Sequence, residues 1–75
     1  MSERIAEVTE LVSSVLGLSS HAIDADASME NTPQWDSLAQ LNICLAFQER
    51  FGTTMDMETI AQSTSVLKLA ALLPS

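Results

Sequence analysis

The sequence has too little cysteine to be held together by covalent cross-links. Cys44 is the only cysteine among 75 residues, so an internal disulfide is excluded. His21 is the only histidine, and no cluster of cysteine and histidine supplies the ligands of a metal site. A chain of this length makes one small domain with a limited core. We therefore expect a single domain over residues 1–75 that packing alone must hold.

Basic side chains are almost as scarce. Arg4, Arg50 and Lys68 stand against ten acidic residues, which gives a formal net charge of −7. Nucleic acid is therefore not an expected partner, because binding its phosphates requires a basic face. Basic protein partners remain open, and so does the simpler interpretation that the acidic surface only keeps a small domain soluble.

Long apolar runs are missing as well, although 47% of the residues are hydrophobic. No stretch approaches the roughly 20 residues that a membrane-spanning helix needs. The N-terminus lacks a basic region followed by a continuous apolar segment, so no signal peptide is predicted. We expect a cytoplasmic monomer with no membrane partner.

The first half of the chain predicts a helix followed by a long loop. The helix begins after Ser2 and ends at Gly17, and its apolar residues recur with helical spacing on one stripe: Ile5, Val8, Leu11, Val12, Val15 and Leu16. The loop covers residues 18–35, and we expect Ile23 and Met29 to anchor it in the core. A loop this long in so small a domain is typically functional or mobile.

The last third predicts a short helix and a longer final one. Asp56 is a candidate N-cap for a short helix over 57–61, and Thr64 or Ser65 begins a last helix that ends at Pro74. The expected core positions of the last helix are Val66, Leu69, Ala70 and Leu73. With a central helix between, the chain is predicted to be all-α: a small four-helix bundle of three principal helices and one short helix, with a long first loop.

The stretch Trp35-Asp36-Ser37-Leu38 organises the rest of the chain. Asp36 is a good N-cap, and the residues from Ser37 to Phe51 contain no glycine or proline until Gly52 ends the helix. Ser37 then lies in the first helical turn, where free N–H groups favour a bound anion such as a phosphate.

Asp36-Ser37-Leu38, followed by an apolar helix that ends at Phe51-Gly52, resembles the signature of the acyl carrier protein family. The likeness extends over nearly the whole chain. The aromatic residue before Asp-Ser is similar to that of a subset of stand-alone carriers. The resemblance implies that Ser37 carries 4′-phosphopantetheine, transferred from coenzyme A by a phosphopantetheinyl transferase, with Asp36 as part of the same site.

The resemblance also implies what the chain does. Acyl groups would be held as thioesters on the arm for fatty-acid, polyketide or related biosynthesis. The expected partners are an acyl-loading enzyme and enzymes of the ketosynthase or acyltransferase type. The chain itself would contain no catalytic residue and would serve as a substrate of these enzymes. A peptidyl or aminoacyl carrier shares the serine and differs only in its cargo, so that alternative stays open.

The central helix has two apolar faces. At about 100° per residue, one face carries Ile43, Cys44, Phe47 and Phe51, and the other carries Leu38, Leu41 and Leu45 on the side of Ser37. A bundle helix needs one core stripe, and the aromatic stripe has the larger area to bury. We therefore predict that the three leucines bind partners, together with Glu49, the helix's only acid. The alternative is that the loop or the last helix buries them.

Two residues invite a catalytic interpretation that the sequence does not favour. His21 as a general base for Ser37 lacks the Gly-x-Ser-x-Gly turn that presents a serine nucleophile, so an exposed loop residue is the better interpretation. Cys44 lies on the core stripe, so an inert buried thiol is expected. An unmodified helical domain, in which Ser37 only begins a helix and the leucines bind a partner helix, remains the alternative from another class.

Overall fold

A computed structural model describes residues 3–19 and 22–73, and these residues form four helices and no named strand. The helices are α1 (Glu3–Leu16), α2 (Ser37–Phe51), α3 (Met57–Gln62) and α4 (Val66–Ala70). The predicted all-α bundle is confirmed. Within the described residues, no helix has the length and apolar character needed to cross a membrane.

The last helix is shorter than a principal helix. It has five residues and α3 has six, whereas α1 and α2 have 14 and 15. After Ala70 the chain continues in tighter turns, in which Leu72 N–H donates to Leu69 O at 3.0 Å and Leu73 N–H donates to Ala70 O at 3.2 Å. Such i→i+3 bonds satisfy the last carbonyls of a helix, which have no partner within it. Pro74, the predicted end of this helix, lies outside the described residues.

Local capping sets most helix ends where the sequence predicts them. Asp36 accepts from Ala39 N–H at 2.8 Å, and Asp56 accepts from Thr59 N–H at 2.8 Å. Of the two candidates for the start of α4, Ser65 is the cap, and its hydroxyl accepts from Lys68 N–H at 3.1 Å. Gly17 and Gly52 follow α1 and α2 with φ of 74° and 65°, values that glycine adopts without strain. Ser2, the predicted cap of α1, lies outside the described residues.

The core lies between α1, α2 and α4. α1 packs against both of the others, whereas α3 contacts α2 more lightly and has no buried residue of its own. The buried apolar side chains of the three core helices are Val8, Leu11, Val12, Ile43, Cys44, Phe47, Val66, Leu69 and Ala70. The stripes predicted for α1, α2 and α4 therefore supply the interior.

The long loop is anchored deeper than the sequence indicates. Ile23 and Met29 pack against the core but are only partly buried, whereas Ala27 is 5% and Trp35 1% exposed. The loop also joins the start of α4, because Val66 N–H donates to Ala27 O at 3.0 Å and Met29 N–H donates to Thr64 O at 2.9 Å. These backbone bonds bring the loop against the α3–α4 connection, beside the beginning of α2.

Candidate functional site

Ser37 is the first residue of α2, at a sharp change from core to solvent. Trp35 is almost completely buried, whereas Asp36 and Ser37 are both exposed. The extended backbone of Asp36, with φ of −102° and ψ of −172°, brings the chain out of the loop and into the helix. Ser37 therefore lies on the surface only two residues after Trp35, which is buried in the core.

The first turn of α2 contains two backbone N–H donors without an acceptor among the described residues. The N–H groups of Ala39 and Gln40 bond to the side chain and the carbonyl of Asp36, each at 2.8 Å. The N–H groups of Ser37 and Leu38 have no hydrogen-bond partner among the described residues. No acidic residue lies in this turn after the cap, so the Asp36 carboxylate is the only negatively charged side chain of the chain's own at this end of α2. The surroundings fit a phosphate ester on Ser37 Oγ.

The two apolar faces of α2 have opposite environments. Ile43, Cys44 and Phe47 are 0% exposed, whereas the three leucines on the other face remain open to solvent: Leu38 is 68%, Leu41 45% and Leu45 64% exposed. The alternative in which the loop or the last helix covers these leucines is therefore wrong. Glu49 is exposed too. Partner binding by Leu38, Leu41, Leu45 and Glu49 stays a prediction.

An open groove runs beside Ser37, between α2, α3 and the loop. Its volume is about 370 Å³ and its lining is mainly apolar: Met29, Ser37, Gln40, Leu41, Ile60, Ala61 and Thr64. The groove places the hydroxyl-bearing residue at the edge of a partly sheltered apolar surface. The sequence indicates the loop and the helix, but not that α3 forms the opposite wall.

Gln40 is the residue of this region that sequence reasoning missed. It is 5% exposed and its side-chain oxygen accepts from the Trp35 indole N–H at 2.7 Å. Its amide nitrogen donates to Ile60 O at 2.7 Å and to Ser63 O at 2.8 Å. A signal existed, because helical periodicity puts Gln40 on the core stripe, where a polar side chain must be hydrogen bonded.

The sequence profile of a protein family described as phosphopantetheine attachment site matches residues 6–73. The chain belongs to this family. Its members are carrier domains, generally without catalytic activity of their own, and they carry covalently attached 4′-phosphopantetheine. They interact with a phosphopantetheinyl transferase and with biosynthetic enzymes. A comparison with curated proteins found no match.

In this carrier domain, the chain's own thiol is poorly placed for chemistry. Cys44 is completely buried on the core face of α2, and its Sγ lies 3.4 Å from the Gln40 amide nitrogen. Burial raises the pKa of the Cys44 thiol, because desolvation disfavours the thiolate. The thiolate is the nucleophilic form, so Cys44 is protected from reaction. His21, the other residue weighed for catalysis, lies outside the described residues.

Proposed function

We propose that this carrier domain holds acyl groups as thioesters on 4′-phosphopantetheine attached to Ser37 Oγ. The observation that carries the proposal is the exposed Ser37 at the first residue of α2, within the segment that matches the family. A transferase can reach an exposed hydroxyl without opening the core. The two free N–H groups of the first turn are suited to the phosphate that links the arm.

The residues of the chain orient the arm and leave the chemistry to others. Asp36 caps α2 through Ala39 N–H and thereby holds the first turn in which Ser37 lies. The cofactor supplies the thiol, and partner enzymes supply the catalytic groups. The domain is thus a substrate for a phosphopantetheinyl transferase, an acyl-loading enzyme and enzymes of the ketosynthase or acyltransferase type, in fatty-acid, polyketide or related biosynthesis.

The lining of the groove supports an acyl cargo over an aminoacyl one. Met29, Leu41, Ile60 and Ala61 present apolar side chains beside Ser37. Among the residues that the structure describes, no acidic side chain lines this groove to pair with the ammonium group of an aminoacyl cargo. An acyl chain that turned back towards the helix would bury apolar area against these residues.

The exposed leucines are proposed as the surface that partners recognise. Leu38, Leu41 and Leu45 lie within about two turns of α2 on the side of Ser37, and Glu49 extends the same region by one further turn. An exposed apolar patch next to a modified residue is typical of an interaction site. Each partner must approach the arm, so a surface beginning at Ser37 can serve all of them.

Intact mass after incubation with coenzyme A and a broad-range transferase tests the attachment. We expect one phosphopantetheine per chain, no addition to the Ser37→Ala variant, and unchanged helical circular dichroism in that variant. Ser14→Ala, at an exposed serine of α1, is the matched control and should be modified normally. Modification that persists in Ser37→Ala would show that the site is wrong. A wild-type chain that accepts no arm would instead favour the unmodified interaction domain.

Thermal unfolding of the loaded protein tests the cargo. Holo protein carrying a medium-length acyl chain should unfold at a higher temperature than holo protein carrying an aminoacyl group of similar size, because only the former finds an apolar contact in the folded state. An equal or larger rise with the aminoacyl group would contradict the acyl assignment and favour a peptidyl carrier.

A further inference from the structure

The residue before the cap of α2 and the fourth residue of α2 are joined by a buried hydrogen bond. The Trp35 indole N–H donates to Gln40 Oε1 at 2.7 Å. With Asp36 as the N-cap, these residues occupy the N′ and N4 positions. A contact between N′ and N4, usually between two apolar side chains, fixes the angle at which the chain enters a helix. Here a hydrogen bond makes that contact, and Asp36 and Ser37 lie within the closed loop.

The same side chain holds the end of α3. Gln40 Nε2 donates to Ile60 O at 2.7 Å and to Ser63 O at 2.8 Å, and Ser63 is the C-cap residue of α3. The last carbonyls of a helix have no partner within that helix. α3 has no fully buried residue, so the Gln40 amide adds to the packing of the partly buried Ile60 in holding α3 against α2. One amide therefore connects the Ser37 turn to α3, the opposite wall of the groove.

We propose that Gln40 is a positioning residue for the modification of Ser37. Through Trp35 it sets the direction in which Asp36 and Ser37 leave the core, and through Ile60 and Ser63 it sets the position of α3 beside the hydroxyl. The proposal rests on the proposed attachment at Ser37. A transferase must align Ser37 Oγ with the phosphate of coenzyme A, and a reacting atom misplaced by about 1 Å can slow a reaction by about two orders of magnitude.

The chain offers a matched control at the other end of α2. The Gln48 amide donates to Cys44 O at 3.2 Å and accepts from Met55 N–H at 3.0 Å, so it also ties a backbone segment to the helix. Gln48→Leu and Gln40→Leu make the same chemical change in one helix. Only Gln40 is bonded to the residue that precedes the site.

Steady-state kinetics of a phosphopantetheinyl transferase, with each carrier as the varied substrate, tests the proposal. For Gln40→Leu we expect kcat to fall about tenfold with KM changed by less than about twofold, because the hydroxyl is misaligned while the exposed leucines still dock. Gln48→Leu should keep the wild-type kcat. A merely structural role predicts another pattern: partial unfolding lowers the concentration of competent substrate, which raises the apparent KM and leaves kcat unchanged. That pattern in Gln40→Leu, or wild-type values for both constants, would overturn the proposal.

A double variant distinguishes the loss of the N′–N4 contact from a general loss of folded structure. Trp35→Phe combined with Gln40→Leu replaces the hydrogen bond by an apolar contact of the usual kind. Its kcat should exceed that of Gln40→Leu alone, although the Ile60 and Ser63 carbonyls remain without the amide's hydrogen bonds. A double variant no faster than the single one would refute the positioning of Ser37 through Trp35.

Trp35→Phe alone decides the matter if Gln40→Leu loses its helical circular dichroism. This change removes the indole donor and leaves the amide's bonds to α3 in place. A folded Trp35→Phe variant with a kcat reduced about threefold supports the proposal, and one with the wild-type kcat overturns it. A wild-type chain that accepts no phosphopantetheine would be a failure of the proposed function, and it is distinguishable because no carrier in the series would then react.

Discussion

The two apolar faces of α2 carry similar side chains and have opposite environments. One face gives the core Ile43, Cys44 and Phe47, each 0% exposed. The other presents leucines to solvent over the first half of the helix. α1 shows the usual arrangement, in which a single stripe is buried and the opposite side is polar. The hydrophobic effect favours burial of apolar area on either face of α2, so the large exposed fraction of the second face contributes little to the stability of the domain by itself.

The difference separates residues that hold the fold from residues available for recognition. The exposed part of each leucine gains nothing from the hydrophobic effect until something covers it. Ser37 stands at the start of the same helix, so a partner that covers the leucines also comes within reach of the hydroxyl. The comparison therefore predicts that mutations on the two faces affect different measurements.

Phe47→Ala should have the largest effect, and it should be on stability. Loss of a fully buried phenylalanine costs about 3–5 kcal/mol. That is a large part of the roughly 5–15 kcal/mol that stabilises a typical domain. Leu45→Ala, one turn or less away on the open face, should change the free energy of unfolding by less than about 0.5 kcal/mol. Urea denaturation followed by circular dichroism measures both, and equal losses in the two variants would abolish the distinction between the faces.

Leu41→Ala and Leu45→Ala should weaken the binding of a cognate partner enzyme without unfolding the domain. Truncating a leucine that becomes buried in an interface can remove about 2 kcal/mol of binding energy. Isothermal titration calorimetry with the holo protein measures the loss.

Salt and Glu49→Gln are the controls for that prediction. Coulomb attraction between exposed charges fades beyond about 8 Å at physiological ionic strength, and a single exposed pair contributes at most about 1 kcal/mol. Both should therefore weaken binding less than the leucine variants do. Binding that collapses in salt while both leucine variants bind normally would show that charge, and not the open face, guides recognition.

Asp36→Asn should separate the cap from its charge. Asparagine caps a helix about as well as aspartate, whereas Asp36→Ala should cost about 1 kcal/mol of stability. We expect Asp36→Asn to unfold at nearly the wild-type temperature but to accept phosphopantetheine more slowly, because we infer that the carboxylate also orients the transferase. Thermal melts and initial rates of modification test the two parts. Equal rates for wild type and Asp36→Asn would show that the cap is the only role of Asp36.

The smallest effect should be that of a thiol reagent on Cys44. Burial raises the pKa of Cys44, so the thiol is neutral and shielded at pH 7. In a chain with one cysteine, the native holo form should therefore react rapidly at the arm alone, and Cys44 should react only after denaturation. Counting reacted thiols with Ellman's reagent before and after adding guanidinium tests this. Rapid reaction of the native apo form would show that the buried face opens readily.

Local rules were sufficient for the start of α3 and for both ends and both faces of α2, whereas α4 ends at Ala70, earlier than the sequence predicted. The caps Asp36 and Asp56 each bond to an N–H three residues ahead, and Gly52 ends α2 by its own backbone conformation, so these features depend on neighbours in sequence. The two faces follow from the helical period. Which face is buried also followed, because the aromatic side offers more area to the core.

The contacts of Gln40 were beyond sequence reasoning. Its position on the core stripe required a hydrogen-bond partner, but Ile60 and Ser63 lie 20 and 23 residues away. Many polar groups lie at such separations, and nothing in the sequence chooses among them. Trp35 is the largest fully buried side chain of the described residues, and its indole bond to Gln40 was likewise not predictable from the sequence. Ala27 was missed because backbone pairing with Val66, not side-chain size, brings it into the core.

Sequence alone was enough to predict the helical class, the cap and start of α2, and a serine at that start beside an apolar stripe. These depend on interactions within one or two helical turns, where the chain has few alternatives. Only the packed fold shows that neither the loop nor the last helix covers the leucines, that α3 and the loop form a groove beside Ser37, and that one buried glutamine connects α2 to α3. Those outcomes depend on contacts between groups that are far apart in the sequence. Which contacts form is set by the packing free energy of the whole domain and not by any one segment.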